Sequence, residues 1–251
     1  MKKSHEGSHP PPPGFDETPH WGLSATLLWS IPVSLLFALL QIATLYLVMQ
    51  PMEGPDNGEI FGNLENDGTL LALATLITSA GCSLLVMGII RLKKGSRLRD
   101  YLAWRGVSPR VVLRWFLLLT VLMILSDALM AGLGRPIIPE FMARSYATAE
   151  PLWLLWLALI AAAPLFEEIL FRGFLMRGLQ GSFLGPLGAV LVTTLLWSSL
   201  HLQYDGYGIA TVFVFGLLLG SARIVTRSLP LSIAMHAFIN GVATLQTALF
   251  G

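Results

Sequence analysis

Glu167-Glu168-Ile169-Leu170-Phe171-Arg172 sets two adjacent carboxylates and an arginine inside an apolar run from Leu152 to Met176. Ionisable side chains in a lipid-spanning segment are costly unless paired or hydrated, so they mark function by default. Glu168 and Arg172 are four residues apart, on one helical face and within reach of each other. Glu167 is turned about 100° around the helix. The pattern therefore predicts an ion pair, Glu168 with Arg172, and a second carboxylate, Glu167, left for chemistry. The bland alternative for the pair, a purely architectural brace, is compatible with this and is the expected role.

Two later apolar runs carry histidines. Trp197-Ser198-Ser199-Leu200-His201 puts an aromatic ring four residues before a histidine. His236-Ala237-Phe238-Ile239-Asn240 puts a histidine and an amide on one face. A lone helical histidine is more often a packing residue than a catalyst. A glutamate, two histidines and an asparagine, all within apolar runs of the last hundred residues, point instead to one shared polar site. Counting about 1.5 Å per residue from the same membrane face puts Glu167 and Asn240 at ~15 Å, His236 at ~9 Å and His201 at ~23 Å. Tilt must absorb the spread between the histidines.

The elements that must position these residues are transmembrane helices. Of 251 residues, 54% are hydrophobic and 12% charged, where a soluble domain carries about a quarter charged. Seven continuous apolar runs are long enough to span or nearly so: Leu23–Met49, Thr69–Ile90, Val111–Leu133, Leu152–Met176, Pro186–His201, Gly208–Val225 and Pro230–Phe250. Continuity rather than alternation excludes a barrel. The expected fold is an all-α, polytopic membrane helix bundle of about seven transmembrane helices.

Basic residues orient it. Lys2, Lys3, Arg91, Lys93, Lys94, Arg97, Arg99, Arg105, Arg110, Arg114, Arg177, Arg223 and Arg227 fall on one side, against Arg135 and Arg144 on the other. The positive-inside rule then predicts a cytoplasmic N-terminus and an outer C-terminus. The first outer loop, with Glu53, Asp56, Glu59, Glu65 and Asp67, is acidic, as this orientation requires. The expected location is a multi-pass protein of the cytoplasmic (plasma) membrane. Residues 1–21 are expected to be a disordered cytoplasmic tail, 22–150 the spans and loops without an assigned motif, and 151–251 the part expected to carry chemistry. The single cysteine, Cys82, excludes an intramolecular disulfide and suits packing.

At this point the residues resemble a family: the CAAX-protease and bacteriocin-processing (Abi) intramembrane proteases, which include the Ras-converting type II CAAX prenyl endopeptidases. Its three motifs are Glu-Glu-x-x-x-Arg, aromatic-x-x-x-His and His-x-x-x-Asn/Asp. Residues 167–172 match the first, 197–201 the second with tryptophan where phenylalanine is usual, and 236–240 the third. The likeness covers Trp153 to Thr247. It implies an intramembrane endopeptidase in which Glu167 is the general base and His201 helps to hold the attacking water. His236 and Asn240 would donate to the oxyanion, and Glu168 with Arg172 would brace the helix. Desolvation makes a carboxylate a stronger base, which suits Glu167. The implied substrate is a CAAX-type prenylated C-terminus, a bacteriocin-like peptide or a membrane protein, reached in or from the bilayer. No cofactor is expected, because Asn240 beside His236 suits an oxyanion donor pair. The alternative is zinc on Glu167, His201 and His236, the inventory of a His2Glu site.

Other signals carry less. His5-Glu6-Gly7-Ser8-His9 spells H-E-x-x-H, but Gly7 and Pro10 deny it the helix that pattern needs. Asp127 is expected to be hydrated through the interface. Residues 137–149 suit an interfacial helix. Nothing indicates nucleic acid as a partner. Two other function classes share the composition: a non-catalytic scaffold or immunity factor of the same fold, and a small transporter. Intact motifs argue against the first, and the lack of paired, broken half-helices against the second.

Overall fold

The structure, a computed structural model, describes residues 18–49 and 67–251. Most of the expected N-terminal tail, the His5–His9 pattern included, and nearly all of the acidic loop lie outside the described residues. Those described are helical, with no strand among them. In chain order the helices are α1 (Leu23–Met49), α2 (Gly68–Leu92), α3 (Leu98–Tyr101), α4 (Pro109–Gly132), α5 (Glu140–Thr148), α6 (Leu152–Gln180), α7 (Gly185–Ser199), α8 (Gly206–Thr226) and α9 (Leu229–Phe250). Six of them (α1, α2, α4, α6, α8 and α9) are long and apolar enough to cross a membrane, while α7, with 15 residues, is a shorter apolar helix.

Contacts at the helix ends show that successive long helices alternate in direction. At one end the Trp21 indole donates to Ile89 O at 3.1 Å, Leu229 N to Ala103 O at 3.1 Å and Ser228 Oγ to Arg105 O at 2.6 Å. Arg177 Nη2 reaches Thr18 O there at 3.3 Å. At the other end Gly68 N donates to Thr148 Oγ1 at 2.9 Å, and Arg135 pairs with Asp205. Thus α7 also runs from one end to the other. Most of the basic residues counted above gather at the first end. The helical run inside 137–149 is α5, whose Thr148 side chain and following carbonyls meet the N-terminus of α2.

Helix α6 is the centre. It packs on α1, α2, α7 and α9, and its Phe166, Ile169, Phe171 and Phe174 join Cys82, Val86 and Ile89 of α2, Phe215 and Leu219 of α8, and Met235 of α9 in one core. By contrast α1 and α4 keep leucines and isoleucines such as Leu35, Ile42, Leu118 and Ile124 on the outside, as lipid-facing helices do. Glycines set the closest approaches. A Cβ on Gly216 would lie 2.7 Å from Thr194 Cγ2 and 3.0 Å from Trp197 Cε3, and one on Gly220 would lie 2.9 Å from Val190 Cγ1. This Gly-x-x-x-Gly stripe of α8 lets α7 press against it.

Helix α6 is not a regular α-helix. Residues Leu157–Ala162 and Ile169–Leu175 are π-helical, the first ending where Ala163 N donates to Ala158 O. Pro164 accounts for the first. Its ring would strike the carbonyl four residues back and it has no N–H to give. A wider turn just before it relieves the clash. In that register the donor for Leu159 O would be residue 164, the proline.

Candidate active site

The consequence of Pro164 is the first link of the site. Asn240 Nδ2, on α9, donates to Leu159 O at 2.8 Å, supplying the hydrogen bond that the proline cannot. Asn240 is therefore fixed across the helix pair with its second amide hydrogen still to give.

The Glu-Glu-x-x-x-Arg residues sit at the junction of α6 with α7, α8 and α9. Glu168 and Arg172 are wholly buried, with Arg172 Nη1 3.1 Å from Glu168 Oε1. Three further contacts hold this pair. Arg172 Nη2 donates to Gly216 O at 3.3 Å, its guanidinium lies 4.5 Å over the Trp197 ring, and His236 Nδ1 is 3.0 Å from the same Glu168 oxygen. With a carboxylate as acceptor, His236 Nδ1 carries the proton, which leaves Nε2 to face the site. A charge pair in lipid needs such company, because unpaired it costs several kcal/mol.

Glu167 points elsewhere, as its offset on the helix predicts. Its side chain is 24% exposed where Glu168 is sealed. Its Oε2 accepts from Trp197 Nε1 at 2.5 Å and lies 3.8 Å from His236 Nε2, beyond hydrogen-bond reach. The indole N–H is a finding of the structure: an aromatic platform was expected at 197, and phenylalanine there would have no atom to donate. Trp197 also stands edge-on to two imidazoles, 5.0 Å from His201 and 5.1 Å from His236. One ring thus spans the depth difference between the histidines.

His201 departs from expectation in one respect. It does not lie in a span, because α7 stops at Ser199 and His201 falls in the connection to α8. Ser198 and Ser199 turn their hydroxyls onto Leu195 O and Leu196 O, at 3.2 and 2.9 Å, and so compete for the last carbonyls of the helix. His201 Nδ1 donates to Trp197 O at 2.9 Å, which leaves the lone pair on Nε2. Its tie to the cluster runs through Trp197.

Tyr204 escaped the sequence reading altogether. Its ring stacks on His201, centroids 5.9 Å apart at 19°. Burial, then the nearby Glu167 carboxylate, push its phenol up to about 12, so it stays neutral. The clue available was a third aromatic position three residues after a motif histidine. Asp127 is also better partnered than expected, since Gln246 Nε2 of α9 donates to its Oδ2 at 2.8 Å.

Zinc, if bound, would have to be held by Glu167 Oε1 and the Nε2 atoms of His201 and His236. Among the described residues no three His, Cys, Asp or Glu side chains stand together as a metal-holding group. His236 Nδ1 is committed to Glu168, and Glu167 Oε2 to Trp197.

No curated protein and no solved structure matches the chain. A family model does. Residues 148–242, which contain every residue discussed here except Asp127 and Gln246, match the one described as type II CAAX prenyl endopeptidase, Rce1-like. Over this segment, then, the chain is similar to the Rce1-like type II CAAX prenyl endopeptidases.

Proposed function

We propose that this protein is an intramembrane endopeptidase that cleaves a peptide bond with water activated by Glu167. The observation that carries the proposal is the convergence of Glu167, Trp197 and His236, from three helices, beside a fully buried Glu168–Arg172 pair.

The assigned steps follow from the free atoms. With Oε2 held by the indole, Glu167 Oε1 takes a proton from water while His201 Nε2 orients that water. Hydroxide attacks the scissile carbonyl carbon, and the carbonyl oxygen becomes the oxyanion. The Nε2 side of His236, when protonated, and the spare amide hydrogen of Asn240 donate to it, each donor of this kind being worth ~3 kcal/mol. Glu167 then returns its proton to the leaving amine. Glu168 and Arg172 take no proton; they lock the helix that aims Glu167, and Glu168 anchors His236 through Nδ1. No metal enters these steps. Stoichiometric zinc, lost together with activity on chelation, would overturn that part.

The family match favours a prenylated CAAX-type C-terminus as substrate, with a bacteriocin-like peptide or a membrane protein as the other outcomes of a substrate search. The basic end of the bundle is assigned to the cytoplasm. The test uses purified protein and a farnesylated CAAX peptide, with comparative proteomics of membranes as a second arm. Glu167→Gln is expected to abolish cleavage with insertion and yield intact. Retained cleavage removes Glu167 as the base. If wild type and variant give the same membrane proteome and neither cuts the peptide, the scaffold reading replaces this one.

A further inference from the structure

His201 is the one motif residue that lies outside a helix, which raises the question of what holds its imidazole still. The backbone offers little: His201 N donates to Ser198 O at 3.1 Å, and the chain then turns away. The side chain has the Trp197 carbonyl at Nδ1 and the Trp197 ring at 77°. The Tyr204 ring stacks on the same imidazole, nearly parallel at 19° with centroids 5.9 Å apart. Tyr204 is itself fixed at its main-chain end. Its N–H donates to His201 O at 3.1 Å, and its Cβ is wedged against the first turn of α8, where a Cβ on Gly208 would fall 2.7 Å away. Next to it Asp205 caps α8 through Gly208 N at 2.9 Å and pairs with Arg135, whose guanidinium covers the Tyr207 ring at 3.8 Å. The short connection is therefore closed at His201, at Tyr204 and at Asp205.

We propose that Tyr204 is a positioning residue for His201, acting through its ring, which stacks on the imidazole that Trp197 also contacts and so fixes the direction of Nε2. Offset-stacked aromatic pairs at such separations are favourable and directional. The neutral phenol makes this compatible with a carboxylate nearby. Gly208 belongs to the same device, since only a residue without a side chain leaves room for Tyr204 at that turn.

The proposal rests on the protease reading for its kinetic consequence but not for its structural one, so two readouts are needed. The first is kcat and KM on the farnesylated peptide. The second, independent of catalysis, is the rate at which diethyl pyrocarbonate modifies His201 in the intact detergent-solubilised protein, followed by peptide mass spectrometry. Tyr204→Phe keeps the ring and is expected to stay near wild type in both. Tyr204→Leu removes it and is expected to lower kcat by about 10- to 100-fold at unchanged KM, the scale of a slightly misplaced catalytic group, and to speed His201 modification severalfold. Gly208→Ala, which displaces the ring without removing it, should move both readouts in the same direction by less. Wild-type modification rates in the Leu and Ala variants overturn the proposal. So does a Phe variant as impaired as Leu, which would assign the role to the hydroxyl. If wild type cuts nothing, the protease reading fails on its own, and the modification rates still decide the positioning role.

Discussion

Helices α4 and α6 have the same mean hydropathy over their most apolar stretches, yet 39% of that stretch is buried in α6 and only 6% in α4. In water such equality would be strange. In a bilayer it is expected, because lipid tails are as apolar as leucine and hydropathy reports the membrane, not the bundle. What separates the two helices is their minority residues. Helix α6 carries Glu167, Glu168, Arg172, Pro164 and two close-packed glycines, Gly173 and Gly178, whose added Cβ atoms would meet Leu102 and Thr26 at 2.7 and 2.1 Å. Helix α4 turns Leu117, Leu118, Ile124, Leu125 and Leu129 outward and keeps one deeper polar contact, Asp127 with Gln246. Small and charged residues select the centre; large aliphatic ones are left for lipid.

Substitutions of matched size test this contrast. The largest effect should come from Arg172→Ala, which leaves Glu168 buried without its cation. We expect a loss of about 3–5 kcal/mol, seen as low yield of monodisperse protein. Leu125→Ala on α4, where the side chain is 61% exposed, should leave thermal unfolding in detergent unchanged. An Arg172→Ala protein as stable as wild type would reduce the pair to decoration.

The next effect concerns the close approach of α8 to α7. Gly216→Ala must displace Thr194 and the Trp197 ring, at an expected cost of about 1–3 kcal/mol. Because Trp197 holds Glu167, cleavage should fall with it. Gly132→Ala, at the end of α4, meets nothing within 4 Å and should be neutral in the same unfolding assay.

An effect of similar size, whose coupling is the smaller quantity, tests the origin of the irregular helix. Asn240→Ala leaves Leu159 O without its donor and should cost about 1–3 kcal/mol. In a Pro164→Ala background residue 164 regains an N–H, so the same change should cost less. A double-mutant cycle on unfolding measures the difference directly. Additive costs would break the link between Pro164 and Asn240.

The smallest effect is one of pH. The Gly208 backbone N–H, then Arg135, hold the exposed Asp205 carboxyl below its ordinary range. A depressed value means that the contribution is present above the unfolded aspartate value and is lost as pH falls through the folded one. Acidification from neutrality to the ordinary aspartate range should therefore leave the His201 connection closed, with opening only below it. Diethyl pyrocarbonate labelling is too weak at such acidity, so limited acid-stable proteolysis at residues 200–205 is the measurement. Release at mildly acidic pH would contradict it.

Much of the site was legible because the membrane makes polar residues conspicuous. Glu167, Glu168, Arg172 and His236 stand out from apolar runs, and i,i+4 spacing predicts the pair that Glu168 and Arg172 make. Spacing also turns Glu167 away from them. Less legible was anything that depends on a register change. The π turn before Pro164 arises from one missing N–H, and its effect appears 81 residues later, in the partner of Asn240. The end of α7 was placed two residues too far, because serines that satisfy carbonyls locally look no different in sequence from serines inside a helix.

Composition and charge by themselves determined that the chain is an all-α bundle of membrane-spanning helices, because lipid leaves the backbone few other ways to satisfy its hydrogen bonds. The motifs marked three apolar segments, α6, α7 and α9, as the ones to meet at the candidate site. Only the tertiary structure decided that Trp197 donates to Glu167, that Tyr204 faces His201 and that Asn240 repairs the break made by Pro164. Each of these joins side chains across helices or around a turn, where distance and angle, not residue type, determine whether a contact forms.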